Sequence, residues 1–357
     1  MKRYIPFIVI LFICCNELPI GEEQFDIRGD FIAQELELPL HNTLTEFDSY
    51  QNLGSSLNLI VGKNNDYESR ILLEFDFSDT SYQGLDEIKL ILRRNTNFNN
   101  DTMKVSIHLL DNAFDESEAN WFKRNINDWW DSAGGDFDND SLRLVETKGD
   151  SLVMTFNYIE LEEIINAEGL IIIPVDTGFN YFRSKESGYT PQFLLVKNDV
   201  VTTVQLDDDC HILTGPEPFY TESWIGSGIP FYNYAKFVFD STLIDKKAVY
   251  AQLSFVPEHH FIMRDSFQIG VRQLLEPLDD FNTETSGLIA LEMFSADDTL
   301  FEIDIVQHIQ HIIEHPDSNF GLFILLYPEE YDIANYKMIN GSHTLKVGYI
   351  SPPQGRF

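Results

Sequence analysis

Positive charge and cysteine are both scarce in this chain of 357 residues. Twenty-four Lys and Arg stand against 58 Asp and Glu, a formal net charge of −34 at pH 7. A surface this acidic repels phosphate backbones, which excludes DNA and RNA as partners. Anionic headgroups and uronate-rich polysaccharides are repelled as well, unless cations bridge them. The three cysteines are Cys14, Cys15 and Cys210. Two of them adjoin each other near the N-terminus, so there is no intrachain disulfide framework and stability must come from packed cores or bound ions. After residue 15 no apolar run approaches the roughly 20 residues that span a bilayer as a helix. The chain also lacks a Gly-x-Ser-x-Gly elbow, a Gly-rich phosphate loop and a His-Glu-x-x-His pair, so no catalytic residue is assigned. A carbohydrate-active enzyme stays open only because two carboxylates at the right separation suffice for glycoside hydrolysis.

What the chain does have is the composition of a folded protein. It is 43% hydrophobic and 13% aromatic, which excludes disorder and supplies β-sandwich cores. Its length fits two domains of roughly 100–200 residues each.

Lys2-Arg3, the apolar run Ile5 to Ile13 and the Cys14-Cys15 pair form an export signal over residues 1–15. This segment resembles a bacterial lipoprotein signal, in which the new N-terminal cysteine is acylated. Cleavage before Cys15 leaves the smaller Cys14 ahead of the cut, whereas cleavage before Cys14 leaves Ile13 there, so Cys15 is the expected lipidation site. An ordinary secretory peptide and an uncleaved anchor are the alternatives. The lipoprotein reading places the protein on the bacterial outer membrane or cell surface, joined to the membrane by its lipid. Residues 16–40, rich in Glu, read as an acidic tether with room for one strand.

Self-comparison finds an internal repeat. Gly62 to Asp76 aligns without gaps on Gly226 to Asp240, and each segment ends in an alternating strand closed by Asp. Ile88, Leu90 and Leu92 match Ala251, Leu253 and Phe255, while Val105, Ile107 and Leu109 match Phe267, Ile269 and Val271, all with period two. Gly169-Leu170 falls on Gly321-Leu322, and Asn180-Tyr181 on Asn335-Tyr336. The expected fold is all-β, two tandem jelly-roll or β-sandwich domains, each with a short helix. In the second copy the helix is placed over Ile305 to Glu314, where Ile305, Ile309 and Ile312 share one side. The domains are set at 41–200 and 218–351, with residues 201–217 as a charged, Pro-punctuated linker.

Residues 41–200 resemble the DNRLRE or disaggregatase-related β-sandwich modules of exported microbial proteins, which are similar to certain carbohydrate-binding modules. The resemblance rests on Asn52-Leu53-Gly54-Ser55, Ser69-Arg70-Ile71-Leu72-Leu73-Glu74-Phe75-Asp76, Phe114-Asp115-Glu116, Asn120-Trp121 and Gly134-Gly135-Asp136. It continues in Phe182-Arg183-Ser184-Lys185-Glu186 and Pro191-Gln192-Phe193-Leu194. Asn120 stands where the family has Thr, and the second half lacks the Ser-x-Glu element. The resemblance thus implies the fold for both halves and glycan binding mainly for the first.

Sugars stack on flat aromatic faces. Trp129 and Trp130, in a polar segment before two glycines, are the leading candidates for a polysaccharide contact, with Trp121 beside them. Packing of these rings in the sandwich is the competing expectation. Asp136, Asp138 and Asp140 place three hard oxygen donors at alternate positions and point to a structural Ca2+. Ser141 and Thr147 occupy positions where an EF-hand loop needs Gly and Glu, so any such site is of another kind. His308, His311 and His315 share a helix face, more in the pattern of solvated or capping residues than of a zinc site. The expected function is a non-catalytic envelope lipoprotein that binds polysaccharide. A structural or adhesive surface scaffold and a carbohydrate-active enzyme are the alternatives.

Overall fold

The computed structural model of the protein describes residues 33–48, 50–78, 82–217 and 221–351. The segment expected to be an export signal, with Cys15, and the expected tether up to residue 32 lie outside the described residues. No helix among the described residues is long and apolar enough to cross a membrane.

Strands β1 (Ala33–Leu38) and β2 (Leu40–Phe47) come first. Then follow β3 (Asn58–Lys63), β4 (Glu68–Asp76), β5 (Glu87–Arg93), β6 (Lys104–Leu109), β7 (Arg143–Glu146) and β8 (Ser151–Phe156). Helix α1 (Tyr158–Asn166) leads into β9 (Leu170–Pro174), β10 (Gly178–Arg183), β11 (Gln192–Lys197) and the long β12 (Val200–Thr214). The second half contains β13 (Ser223–Ser227), β14 (Phe231–Phe237), β15 (Lys247–Phe255), β16 (Pro257–Phe261), β17 (Ser266–Leu274), β18 (Thr285–Ser295) and β19 (Phe301–Asp304). Helix α2 (Val306–Glu314) and strands β20 (Leu322–Tyr327), β21 (Ala334–Met338) and β22 (Thr344–Ile350) complete it.

Period-two alternation dictates these strands. In β5 the side chains of Ile88, Leu90 and Leu92 turn inward while Arg93 faces solvent. Each buried aliphatic or Phe side chain contributes about 1.5–3 kcal/mol of transfer free energy. Helix α1 opens on a capping box, in which Asn157 accepts from the amides of Ile159 and Glu160 while Glu160 reaches back to the Asn157 amide. Its Leu161 and Ile164 close one end of the first core, as Ile309, Ile312 and Ile313 of α2 do in the second.

The two copies follow one plan, with strand β16, paired to β21, added in the second. The first sandwich has one sheet in the order β7-β6-β9-β4-β12 and a second in the order β12-β11-β5-β8. Strand β12 serves both, pairing with β11 through residues up to Val204 and with β4 from Gln205 onward, with a bulge between Leu206 and Asp208. The second sandwich repeats the plan as β18-β17-β20-β14-β2 and β1-β22-β15-β19. There β1 lies against β22 and β2 against β14, so the two N-terminal strands fill the place that β12 holds in the first copy.

This arrangement corrects the domain limits drawn from sequence. Residues 201–217 are no linker, because most of them form β12 in the middle of the first sandwich. Residues 33–40 are no tether, and residues 41–47 do not belong to the first domain. Leu36, Leu38 and Leu40 alternate with Glu35, Glu37 and Pro39, and Leu38 is buried in the core of the second sandwich. The first sandwich is built from strands within 58–214; the second joins 33–47 to 223–350.

The sandwiches also share an interior. Leu53, Ile60, Phe98 and Tyr181 from the first pack against Ile229 and Ile333 from the second. Tyr67 stacks on Phe261 with centroids 5.5 Å apart, and the amide of Asn99 donates to the Met263 carbonyl at 3.0 Å.

Candidate functional site

Between β6 and β7 the chain forms a long excursion over the outer face of the β9-β4-β12 sheet, where Trp121 and Trp130 pack with Leu72, Ile171 and Ile212, and residues 121–130 double back within it. Lys123 and Trp129 face each other as an antiparallel bridge, and the Trp130 amide donates to the Phe122 carbonyl at 3.1 Å. Asn125 makes the turn, its Oδ1 accepting from the amides of Asn127 and Asp128 at 2.9 Å each. Because neighbouring residues of an extended segment point to opposite sides, Trp129 and Trp130 part company. Trp130 is 5% exposed and its Nε1 donates to the Asn120 carbonyl at 2.9 Å. Trp129 is 55% exposed.

Trp129 stands in an aromatic group that sequence spacing did not announce. The ring of Tyr50, itself 49% exposed, meets it edge to face at 6.1 Å. The Lys123 ammonium lies 5.1 Å from the Trp129 centroid and 5.7 Å from that of Tyr50. Asn120 Nδ2 donates to the Tyr50 carbonyl at 3.2 Å and fixes the two segments together. Ile126 extends an exposed apolar tip beyond the pair. The result is an aromatic surface edged by one cation and by Asp128 and Asn125.

Trp121 and Trp130 are packing residues, contrary to the expectation that they contact sugar. Trp121 is 8% exposed and packs with Leu72, Phe114 and Ile212. The Arg70 guanidinium lies 4.8 Å from its ring centroid, donates to the Gly134 carbonyl at 2.7 Å and pairs with Glu68 at 2.6 Å. Gly134 is required there, since its φ is +94° and a Cβ would come within 2.7 Å of Arg70 Nη1. The aromatic stretch of the second half is likewise mostly interior, with Phe231 and Tyr234 buried.

Asp136, Asp138 and Asp140 do not gather around a common point. Asp136 is buried and accepts from the amides of Asp131 and Ser132 at 2.9 Å and from Asn112 Nδ2 at 3.2 Å, so its carboxylate organises the loop. Asp138 and Asp140 are exposed, and Asp138 Oδ1 accepts from the Asp140 amide at 3.0 Å. Nor do the three histidines converge. His308 is buried with Nδ1 3.2 Å from Gln273 Oε1, and His311 and His315 lie side by side with ring centroids 4.9 Å apart.

Among the described residues, the acidic side chains whose oxygens do gather are Glu116, Glu186 and Asp209, all within 4.8 Å of one another. They come from the excursion, from the turn after β10 and from the bulged middle of β12. Asn52 ties the place together, its Nδ2 donating to the carbonyls of Glu116 at 2.8 Å and Ala119 at 2.9 Å. Lys185 Nζ bonds Glu116 and reaches Asp208 at 3.3 Å. The Lys185 amide donates to Asp209 Oδ2 at 3.0 Å. Burial, reinforced by Glu186, pushes the Asp209 carboxyl up to about 8. Burial also raises Glu74, which faces Asp208 across the strands, and the charges of Asp208 and Asp207 add to the rise. Carboxylate outweighs cation throughout this part of the molecule.

No family model matches the chain, and no curated protein does. Two solved structures are similar in part. One is a protein of Parabacteroides distasonis described as secreted, 10% identical, matched over 88% of this chain and 99% of its own, with a TM-score of 0.26. The other is the N-terminal CBM22-1-CBM22-2 tandem domain of Paenibacillus barcinonensis Xyn10C, 10% identical over 90% of this chain and 92% of its own, with a TM-score of 0.17. Likenesses this slight say nothing of ligand or activity.

Proposed function

We propose that this is an exported, lipid-anchored protein of the bacterial envelope, without catalytic activity, that binds polysaccharide through the Trp129–Tyr50 face of its first sandwich. The observation that carries this reading is the exposure of Trp129 on the excursion, beside the exposed Tyr50 of the β2–β3 connection, while Phe114, Trp121 and Trp130 of the excursion are buried. An indole held by a backbone bridge and a neighbouring ring offers its C–H stacking surface at low entropic cost, and the Lys123 ammonium stands at its rim to hydrogen-bond hydroxyls. Anchoring at Cys15 rests on the sequence of the export signal. Membership of the DNRLRE-like modules is supported by the meeting of Asn52, Glu116 and Lys185-Glu186, distant in sequence, beside strand β12.

The test is a polysaccharide array probed with the purified protein and with Trp129→Ala and Tyr50→Ala. Retention of one or a few glycans by the parent, weakened at least tenfold in both variants, is expected. Binding unaffected by either substitution would move the site elsewhere. Failure to bind any glycan would favour the scaffold reading, for which the interior shared by the two sandwiches makes a stiff spacer.

A further inference from the structure

We infer that Glu116, Glu186 and Asp209 form a calcium site that clamps the Trp129-bearing excursion to strand β12. Two independent observations meet there. The first is the donor set, one carboxylate oxygen from each residue, all within 4.8 Å. Calcium takes about six to eight oxygen ligands in flexible geometry, so a carboxylate set completed by water suits it, whereas magnesium demands near-octahedral geometry and gives up its own waters reluctantly. The second is an unanswered acceptor. Asp209 is 0% exposed; its Oδ2 takes the Lys185 amide, and its Oδ1 has no hydrogen-bond partner among the described residues. A carboxylate oxygen buried without a donor is costly, and a cation at the cluster supplies what the protein does not.

Charge balance points the same way. Lys185 is the one ammonium bonded at the cluster, and it is shared between Glu116 and Asp208. With Glu186 and Asp209 included, four carboxylates face a single positive side chain. A divalent ion between Glu116, Glu186 and Asp209 leaves Lys185 to Asp208 and to the Asp207 carbonyl, which it already reaches at 2.7 Å. Glu186 is exposed, so the site has an open side through which the ion enters and where water completes the coordination. The three ligands belong to separate segments, and Glu116 and Asp209 are 93 residues apart. Binding therefore crosslinks the loop, the turn after β10 and the long strand. The inference stands on these residues alone and does not rest on the glycan reading.

The purified protein, freed of metal by chelator, is titrated with calcium while its melting temperature and heat of binding are recorded. Calcium at 100-fold above Kd should raise the melting temperature by about 3–8 °C. Glu186→Gln, a substitution at an exposed position, should abolish the rise while leaving the metal-free melting temperature close to the parent's. Lys185→Met should lower the metal-free melting temperature and enlarge the calcium-induced rise, because the ion then replaces the lost ammonium. Asp138→Asn with Asp140→Asn should respond as the parent does. Absence of any rise in the parent would overturn the site. So would a rise that survives Glu186→Gln, or one reproduced by magnesium or by sodium chloride at equal ionic strength, since that is charge screening of an acidic surface.

Discussion

The side-chain amide of Asn58 donates to the Tyr331 carbonyl at 2.7 Å, joining the first strand of one sandwich to a loop of the other. Asn58 is fully buried, and its Oδ1 accepts in turn from Asn95 Nδ2 at 2.8 Å. Asn58→Leu leaves the Tyr331 carbonyl and the Asn95 amide without partners in an apolar setting. A loss of about 2–6 kcal/mol in urea unfolding is expected, at about 1–3 kcal/mol for each of the two orphaned groups. In the parent, tryptophan fluorescence and far-ultraviolet dichroism should report one coincident transition, because both sandwiches share the core around Phe98 and Ile333. Two separated transitions in the parent would show that this junction does not couple them.

Strand β1 runs antiparallel to β22 with Ala33 opposite Ile350. The equivalent ends in the first copy, Lys197 and Val200, are joined by Asn198 and Asp199, both with positive φ, as in a two-residue hairpin turn. A chain opened ahead of Tyr50, with Ile350 joined to Ala33 through an Asn-Gly link, should therefore fold with a melting temperature within a few degrees of the parent. Deleting residues 33–47 outright should strip β14 and β22 of one partner each, remove the buried Leu38 and Leu44, and abolish cooperative unfolding of the second sandwich. Equal stability of the deleted and permuted chains would refute this assignment of the N-terminal strands.

Trp129 and Trp121 should separate binding from folding. Truncation of exposed Trp129 to Ala should change stability by about 0.5 kcal/mol or less. Trp121→Ala removes a buried ring that supports the Arg70 guanidinium, and should cost about 3–5 kcal/mol. Denaturant titration of the two variants beside the glycan assay checks both halves of this expectation. A Trp129→Ala chain as unstable as Trp121→Ala would make Trp129 a structural residue.

His343 is buried against Phe255, ring centroids 5.3 Å apart, and neither ring nitrogen has a partner. Burial lowers its pKa to about 4. The unfolded chain binds this proton near the ordinary value of about 6.5, so between about 6.5 and 4 the unfolded state holds more protons and stability is lost as the pH is lowered. The contribution at neutral pH has a ceiling of about 3 kcal/mol. His343→Leu removes it together with two unsatisfied polar atoms. Its advantage over the parent in melting temperature should be larger at about pH 4.5 than at about pH 8. An advantage independent of pH would mean that the ring does not stay neutral in the folded protein.

The repeat was legible because its signal is local: Ile88, Leu90 and Leu92 against Ala251, Leu253 and Phe255 need only period two to be seen. The exchange of N-terminal strands was not, since the partner that makes Leu38 a core residue, Leu345, lies at the other end of the chain. Acidic neighbours made Glu35 to Glu37 look like tether and Asp207 to Asp209 look like linker, although the bulge beside Asp208 turns Asp209 inward. The aromatic site was half legible. Sequence picked out the adjacent tryptophans but not which one faces out, a matter of strand parity, and Tyr50 gave no sign of its place beside Trp129. Alternate aspartates at 136, 138 and 140 imitated a ligand set, while Glu116, Glu186 and Asp209 have no spacing pattern at all and meet only through the fold.

The placement of β1 and β2 also sets an order of assembly. Every strand of the first sandwich lies within residues 58–214, so that unit can form as soon as its own stretch emerges from the ribosome. The second cannot close by itself: its first-made strands must wait for β14 and, last of all, for β22. Contacts between opposite ends of a chain form slowly. Half of the molecule thus stays unlocked until β22 has been made, a latch that shuts only after the strands it closes over are in place.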